Sequence, residues 1–176
     1  SNCVGIYASA PTYRVVQDIP SSSVTGTSIV GTFATTPVAG SLLVALFSSS
    51  NAQGTFTPPA GWSLAVANDN GSFAYISYKV ADGTETTVTF AQTSSRTLNL
   101  AIAEYTGFTG VPALDVTDSN DSGAAVTSVS TTASTGPTNT AQPALALAMI
   151  SNPSALANTT GVTNSFVEDR TLTAAI

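Results

Sequence analysis

Along most of the chain apolar and polar residues alternate, and turn formers interrupt them at roughly the 8–12-residue spacing of β-strands. Helical periodicity is nearly absent. Tyr13 to Ile19 predicts a first strand, with Tyr13, Val15, Gln17 and Ile19 on one face, and Thr27 to Ala34 a second. Thr36, Pro37 and Gly40 mark a turn. Ser41 to Ser48 follows and is nearly all apolar, as expected of a central strand covered on both faces. Asn51 to Gly61 reads as a loop ending in Pro58-Pro59-Ala60-Gly61, and Trp62 opens a strand running to Asn68. Asn68-Asp69-Asn70-Gly71 is a hairpin signal, because Asn-Gly accepts positive φ at both central positions. Ser72 to Ala81 is the return strand, Asp82-Gly83 turns the chain, and Thr86 to Ala91 follows. After a polar turn at Thr93 to Arg96 comes Leu98 to Tyr105. Trp62 to Tyr105 therefore predicts a four-stranded antiparallel meander.

Thr106 to Gly123 reads as a long loop. Ala125 to Thr131 and Ala144 to Ile150 predict two more strands, and Val162 to Ile176 one or two weaker ones. About nine or ten strands predict an all-β, antiparallel two-sheet sandwich of jelly-roll-like form. An immunoglobulin-type sandwich is the alternative, without its Cys–Trp–Cys arrangement. With no linker and no internal repeat, 176 residues fit one sandwich domain, with residues 1–12 as an N-terminal arm. The apolar end at Ile176 predicts either a fragment or a last strand completed by a neighbouring subunit.

Composition changes the picture at the surface. Charged residues make up only 8%, and 23 Ser and 28 Thr fill the gap. Short hydroxyls cost little side-chain entropy to bury against a neighbour, so such a surface suits close packing. The net charge is −6, with Lys79 and three arginines as the only cations besides the chain terminus. That argues against nucleic acid as a partner and against anionic membrane surfaces. The longest apolar run, Pro143 to Ile150, is too short for membrane insertion as a helix. Cys3 is the single cysteine, so no internal disulfide forms; it is a candidate assembly contact, as is Ile176.

Candidate chemistry is sparse. There is no histidine, which removes the commonest general base and zinc ligand. No phosphate-cradling or dinucleotide motif occurs. Glu104 follows Leu98, Leu100 and Ile102 on one strand face, where a carboxylate could serve as an acid; the plainer reading has it reach solvent or an Arg at the strand end. Asp118, Asn120 and Ser122 precede Gly123 in the manner of a calcium loop, a weak Ca²⁺ site whose twelfth position holds Val129 instead of Glu. Otherwise no cofactor is expected. Trp62 reads as a plug at the end of the core; as exposed platforms, Trp62, Tyr75 and Tyr105 would be candidates for surface recognition of a glycan receptor. Phe73 and Tyr75 share one face of their strand, while Ile76, Tyr78 and Val80 occupy the other, so that strand is also expected to be covered on both sides.

Five segments carry a resemblance: Ala39-Gly40-Ser41-Leu42-Leu43-Val44, Pro58 to Trp62, Tyr75 to Val80, Ala101 to Gly107 and Ala144 to Met149. In their order, from Ala39 to Ile150, the chain resembles a recurrent β-sandwich module of bacteriophage structural proteins and bacterial secreted proteins. The resemblance implies a part of a tail, capsid surface or exported fibre, and it brings no catalytic residues. The leading expectation is a non-enzymatic structural subunit or decoration of an extracellular or virion-surface assembly, partnered by copies of itself or by other structural subunits. Its loops Asn51–Pro59 and Thr106–Gly123 would be presented outward. Alternatives are a pilus-like filament subunit joined by strand exchange and a glycan-binding adhesin or tail-fibre module. An enzyme using Glu104 with an aspartate is the remaining class.

Overall fold

The structure, a computed structural model, describes residues 14–50, 56–68, 73–108, 110–114 and 117, at 14–16 and 18–23 by backbone alone. The strands are β1 (Arg14–Thr32), β2 (Leu42–Ser49), β3 (Ser63–Asn68), β4 (Phe73–Val80) and β5 (Thr87–Thr106). Among the described residues there is no helix. The strands form one antiparallel sheet in the order β1-β5-β2-β4-β3. The predicted strands beyond Gly123, together with Cys3, Ile176 and the Asp118–Ser122 segment, lie outside the described residues.

The all-β expectation holds, but the meander does not. β3 and β4 pair as expected, with Asn68 opposite Ala74. β4 and β5 are consecutive in the chain yet not neighbours, because β2 lies between them. Leu43 stands opposite Lys79 on β4 and opposite Glu104 on β5. The reason lies in β2 itself. Leu43, Ala45 and Phe47 are fully buried on one face, and Val44 is buried on the other. A strand that is apolar on both faces is best placed at the centre of a sheet, and its insertion there separates β4 from β5.

The four short strands expected over Tyr13–Ile19, Thr27–Ala34, Thr86–Ala91 and Leu98–Tyr105 are two long ones. β1 has 19 residues and β5 has 20. Their pairing passes through the polar stretch 93–96 with a wide irregularity: Gly26 faces Arg96 and Ser28 faces Ala91, so one residue of β1 stands against four of β5. Such bulges bend strands. A second shift, between Val15 and Gln17, interrupts the alternation read for the first strand and sets Gln17 opposite Glu104.

The bend folds the β1–β5 ribbon over the sheet. Ten residues separate Phe90 from Leu100, about 33 Å if the strand ran straight. Yet Phe47, the register partner of Leu100, has its ring centroid 5.7 Å from that of Phe90. On the partner strand, a Cβ at Gly31 would sit 2.8 Å from Ile102 Cδ1 and 3.3 Å from Leu100 Cδ2. Gly31 is therefore a point of close approach between the folded ribbon and the sheet beneath it, where an added methyl would have to displace the end of the Ile102 side chain.

Between ribbon and sheet lies the main core, built on stacked rings. Phe56 stacks on Tyr75 at 4.3 Å and on Phe47 at 5.0 Å, and Phe90 covers the same group. Phe33, Leu98, Leu100 and Ile102 surround them. The opposite face carries a smaller cluster of Val44, Ala103 and Tyr105, with Leu42, Leu46, Ile76 and Phe108 packed on it. Both faces of β2 and β4 thus carry core residues, as their composition requires. The turns into β2 and β3 share one design. Ser41 N–H donates to Val38 O at 2.9 Å and Trp62 N–H to Pro59 O at 3.0 Å. Gly40 (φ 87°) and Gly61 (φ 82°) take the left-handed position that a type II turn demands.

Phe90 tests the folded ribbon directly. Phe90→Ala is expected to cost about 3–5 kcal/mol of stability, since it removes a fully buried ring. It should also change the fluorescence of Trp62, whose ring meets Phe90 edge-on at 5.5 Å. Urea titration followed at the single tryptophan reads both effects; an unchanged midpoint and spectrum would contradict the packing.

Candidate functional site

Four charged side chains, Glu104, Lys79, Asp82 and Glu85, gather at one end of the sheet, on either side of Leu43. Within the main cluster's face, the register row Glu104–Leu43–Lys79 closes off the aromatic core. On β5, Leu98, Leu100, Ile102 and Glu104 share that face, as alternation predicts, and all four are buried.

Glu104 is 1% exposed and does not reach solvent. The expectation that its strand-end position opens it to water is corrected, because the chain before β2 folds over it; the side chains of Arg14 and Arg170 lie outside the described residues. Gln17 Nε2 donates to Glu104 Oε2 at 2.7 Å. Val38 N–H and Ser41 Oγ donate to Oε1 at 2.7 and 2.8 Å. The same Gln17 amide holds Thr35 by its carbonyl at 2.8 Å and by its N–H at 3.3 Å. One carboxylate therefore ties together β5, β1, the Val38–Ser41 turn and the start of β2. Hydrogen bonds to a charged acceptor are about twice as strong as neutral ones, and three of them offset much of the cost of burying the group. As arranged, Glu104 is an acceptor with both oxygens engaged. Sequence reasoning picked out Glu104 but not Gln17 or Ser41, which are unremarkable by type and 87 and 63 residues distant.

Beyond Leu43, Lys79 makes the second tie. Its Nζ lies 2.8 Å from Glu85 Oε1 and 3.1 Å from Asp82 Oδ2. Its stem passes over the Pro59–Trp62 turn, where a Cβ on Gly61 would be 3.7 Å from Lys79 Cε. Glu85 also accepts from the N–H groups of Asp82 and Gly83 at 2.9 and 3.0 Å. Thr84 donates to Asp82 from both its hydroxyl and its N–H. The hydrogen bond to Glu85 is the main reason the Lys79 ammonium is held above its usual range. Burial pushes the Glu85 carboxyl up, but the Lys79 hydrogen bond and the Asp82 N–H outweigh it, and the net shift is downward. Asp82 is held at about 2, against an ordinary 3.8, first by the Thr84 hydroxyl and then by Lys79.

A shallow pocket of about 190 Å³ lies beside the Glu104 tie, between the Val38–Ser41 turn and Thr106–Phe108. Ser41, the buried polar side chain in its wall, commits its hydroxyl to Glu104. Among the described residues no three His, Cys, Asp or Glu side chains are grouped so as to hold a metal ion.

The three aromatic recognition candidates are placed inside. Tyr75 is 4% exposed within the ring stack and Tyr105 is 8% exposed in the opposite cluster, which corrects their reading as open platforms. Alternation turned each ring toward an apolar layer. Trp62 is half-buried and packs against the core beside Phe90, the plugging position. Comparison with known protein families, with curated proteins and with solved structures finds no match.

Two substitutions separate the ties. Glu104→Gln presents an amide N–H₂ to donors that need an oxygen, and it should lower stability by about 2–4 kcal/mol in chemical denaturation. Asp82 acts through pH. Its folded-state value is depressed, so its contribution is complete above 3.8 and is lost as pH falls through about 2. Melting temperature measured from pH 6 to pH 2 should therefore fall less steeply for Asp82→Asn than for the natural chain, and parallel curves would remove Asp82 from the account.

Proposed function

We propose that the protein is a non-enzymatic structural subunit or surface decoration of an extracellular assembly, in the first place a virion capsid or tail. One observation carries this reading. The charged groups placed around the candidate site, Glu104, Lys79, Asp82 and Glu85, are spent on internal ties, and none is aimed at a cavity as an acid, base or nucleophile. Chemistry of that kind holds loops in place. The composition supports the same reading: with 8% charged residues, the outward positions are filled by Ser, Thr, Ala and Val.

In this proposal the five strands are one wall of a jelly-roll-like sandwich. Support comes from the second apolar cluster on the opposite face and from a long ribbon that bends across its own sheet. A filament subunit would use the same packing surfaces. The glycan-binding alternative is weakened, because Tyr75 and Tyr105, two of its three aromatic platforms, are buried.

The purified chain, examined by light scattering and negative-stain microscopy over a wide concentration range, is expected to form regular particles, rings or filaments. A chain that stays monomeric throughout, and that fails to bind any particle or filament from its source, would overturn the proposal.

A further inference from the structure

The folded part of the β1–β5 ribbon has two sides. Ile29, Phe33, Val88 and Phe90 point into the core. Ser28, Val30 and Thr32 of β1 and Thr87, Thr89 and Ala91 of β5 point out, and all six are exposed. Val30, at the centre, is 53% exposed. The register pairs Ser28 with Ala91, Val30 with Thr89 and Thr32 with Thr87. The result is a flat array of two by three small side chains, about 4.8 Å apart across the strands and about 6.8 Å along them.

This array carries no charge. No Asp, Glu, Lys or Arg occurs from Ile19 to Asn68, nor from Thr86 to Ser95. We propose that the outward face of the ribbon is a self-contact surface, on which a second copy of this chain packs back to back. The proposal rests on the assembly reading above and names the surface it would use. Charge favours this face for a self-contact: two copies of a chain with net charge −6 repel one another, and the repulsion is least where uncharged faces meet. Symmetry fits as well. Two copies packed back to back are related by a two-fold axis lying in the contact plane between them; with that axis along the strands, Val30 of one copy meets Thr89 of the other. Area sets the strength. Six small side chains fall well short of the roughly 800 Å² per partner of a stable dimer. A single contact is therefore weak, and such contacts hold when many are repeated in one assembly.

Sedimentation velocity from micromolar to millimolar concentration tests this on the natural chain, Val30→Glu and Thr89→Lys. The two substitutions lie on different strands at exposed positions, and each should leave the melting temperature unchanged. Each introduces like charges across the two-fold contact, so self-association is expected to weaken by about tenfold or more. An equimolar mixture of the two variants should regain association, because Glu at position 30 then faces Lys at position 89. If the natural chain and both variants associate equally, this surface is wrong while the assembly reading stands. If the natural chain shows no association at any concentration, the self-contact falls, and the assembly reading falls with it when the chain also fails to bind any particle or filament from its source.

Discussion

The fold depends on one contact between residues that a straight strand would hold apart. Phe90 reaches Phe47, whose neighbour across the sheet is Leu100, although Phe90 and Leu100 belong to the same strand. The ribbon bends where one residue of β1 meets four of β5, and the bend lets a single pair of strands supply both sides of a core. Gly31 makes the close approach feasible, since any larger residue would press on Ile102. The stacked rings of Phe47, Phe56, Tyr75 and Phe90 then fill the space so enclosed. Without the bend, Phe90 and Val88 would lie on an open ribbon in water.

A core made in this way has open ends, and the Glu104 and Lys79 ties close one of them. Each fixes a segment that no strand pairing controls: the chain from Thr35 to Ser41 in one case, the Asp82–Glu85 turn in the other. The two differ in physical character. Glu104 is buried and held by neutral donors, so its loss leaves several groups unsatisfied at once. Asp82 and Lys79 are more exposed, and their attraction is screened by solvent and salt. The first tie therefore contributes to holding the fold, and the second mainly trims a turn.

The same economy of charge shapes the exterior. Few ionic groups are available, and those around the site face inward or toward one another. What remains on the folded ribbon is a plain array of Thr, Ser, Ala and Val. A surface of this kind gives up little entropy on contact and excludes no neutral neighbour. Under the proposal above, it serves repetition in an assembly.

Local pattern alone determined a good deal about this protein. Period-two alternation made it all-β, the apolar run of β2 marked a strand covered on both faces, and Asn68 to Gly71 placed the β3–β4 hairpin. It also put Glu104 on the face of Leu98, Leu100 and Ile102. These follow from backbone geometry and from neighbours within a few residues. Strand order, the union of short strands into β1 and β5, and the partners of Glu104 were decided only in three dimensions. Alternation says which way a side chain points but not which strand lies beside it. The polar stretch 93–96 reads as a turn because turns and bulges favour the same residues. Gln17 and Ser41 meet Glu104 across separations at which no local signal survives, brought there by the need to bury β2 at the centre of the sheet.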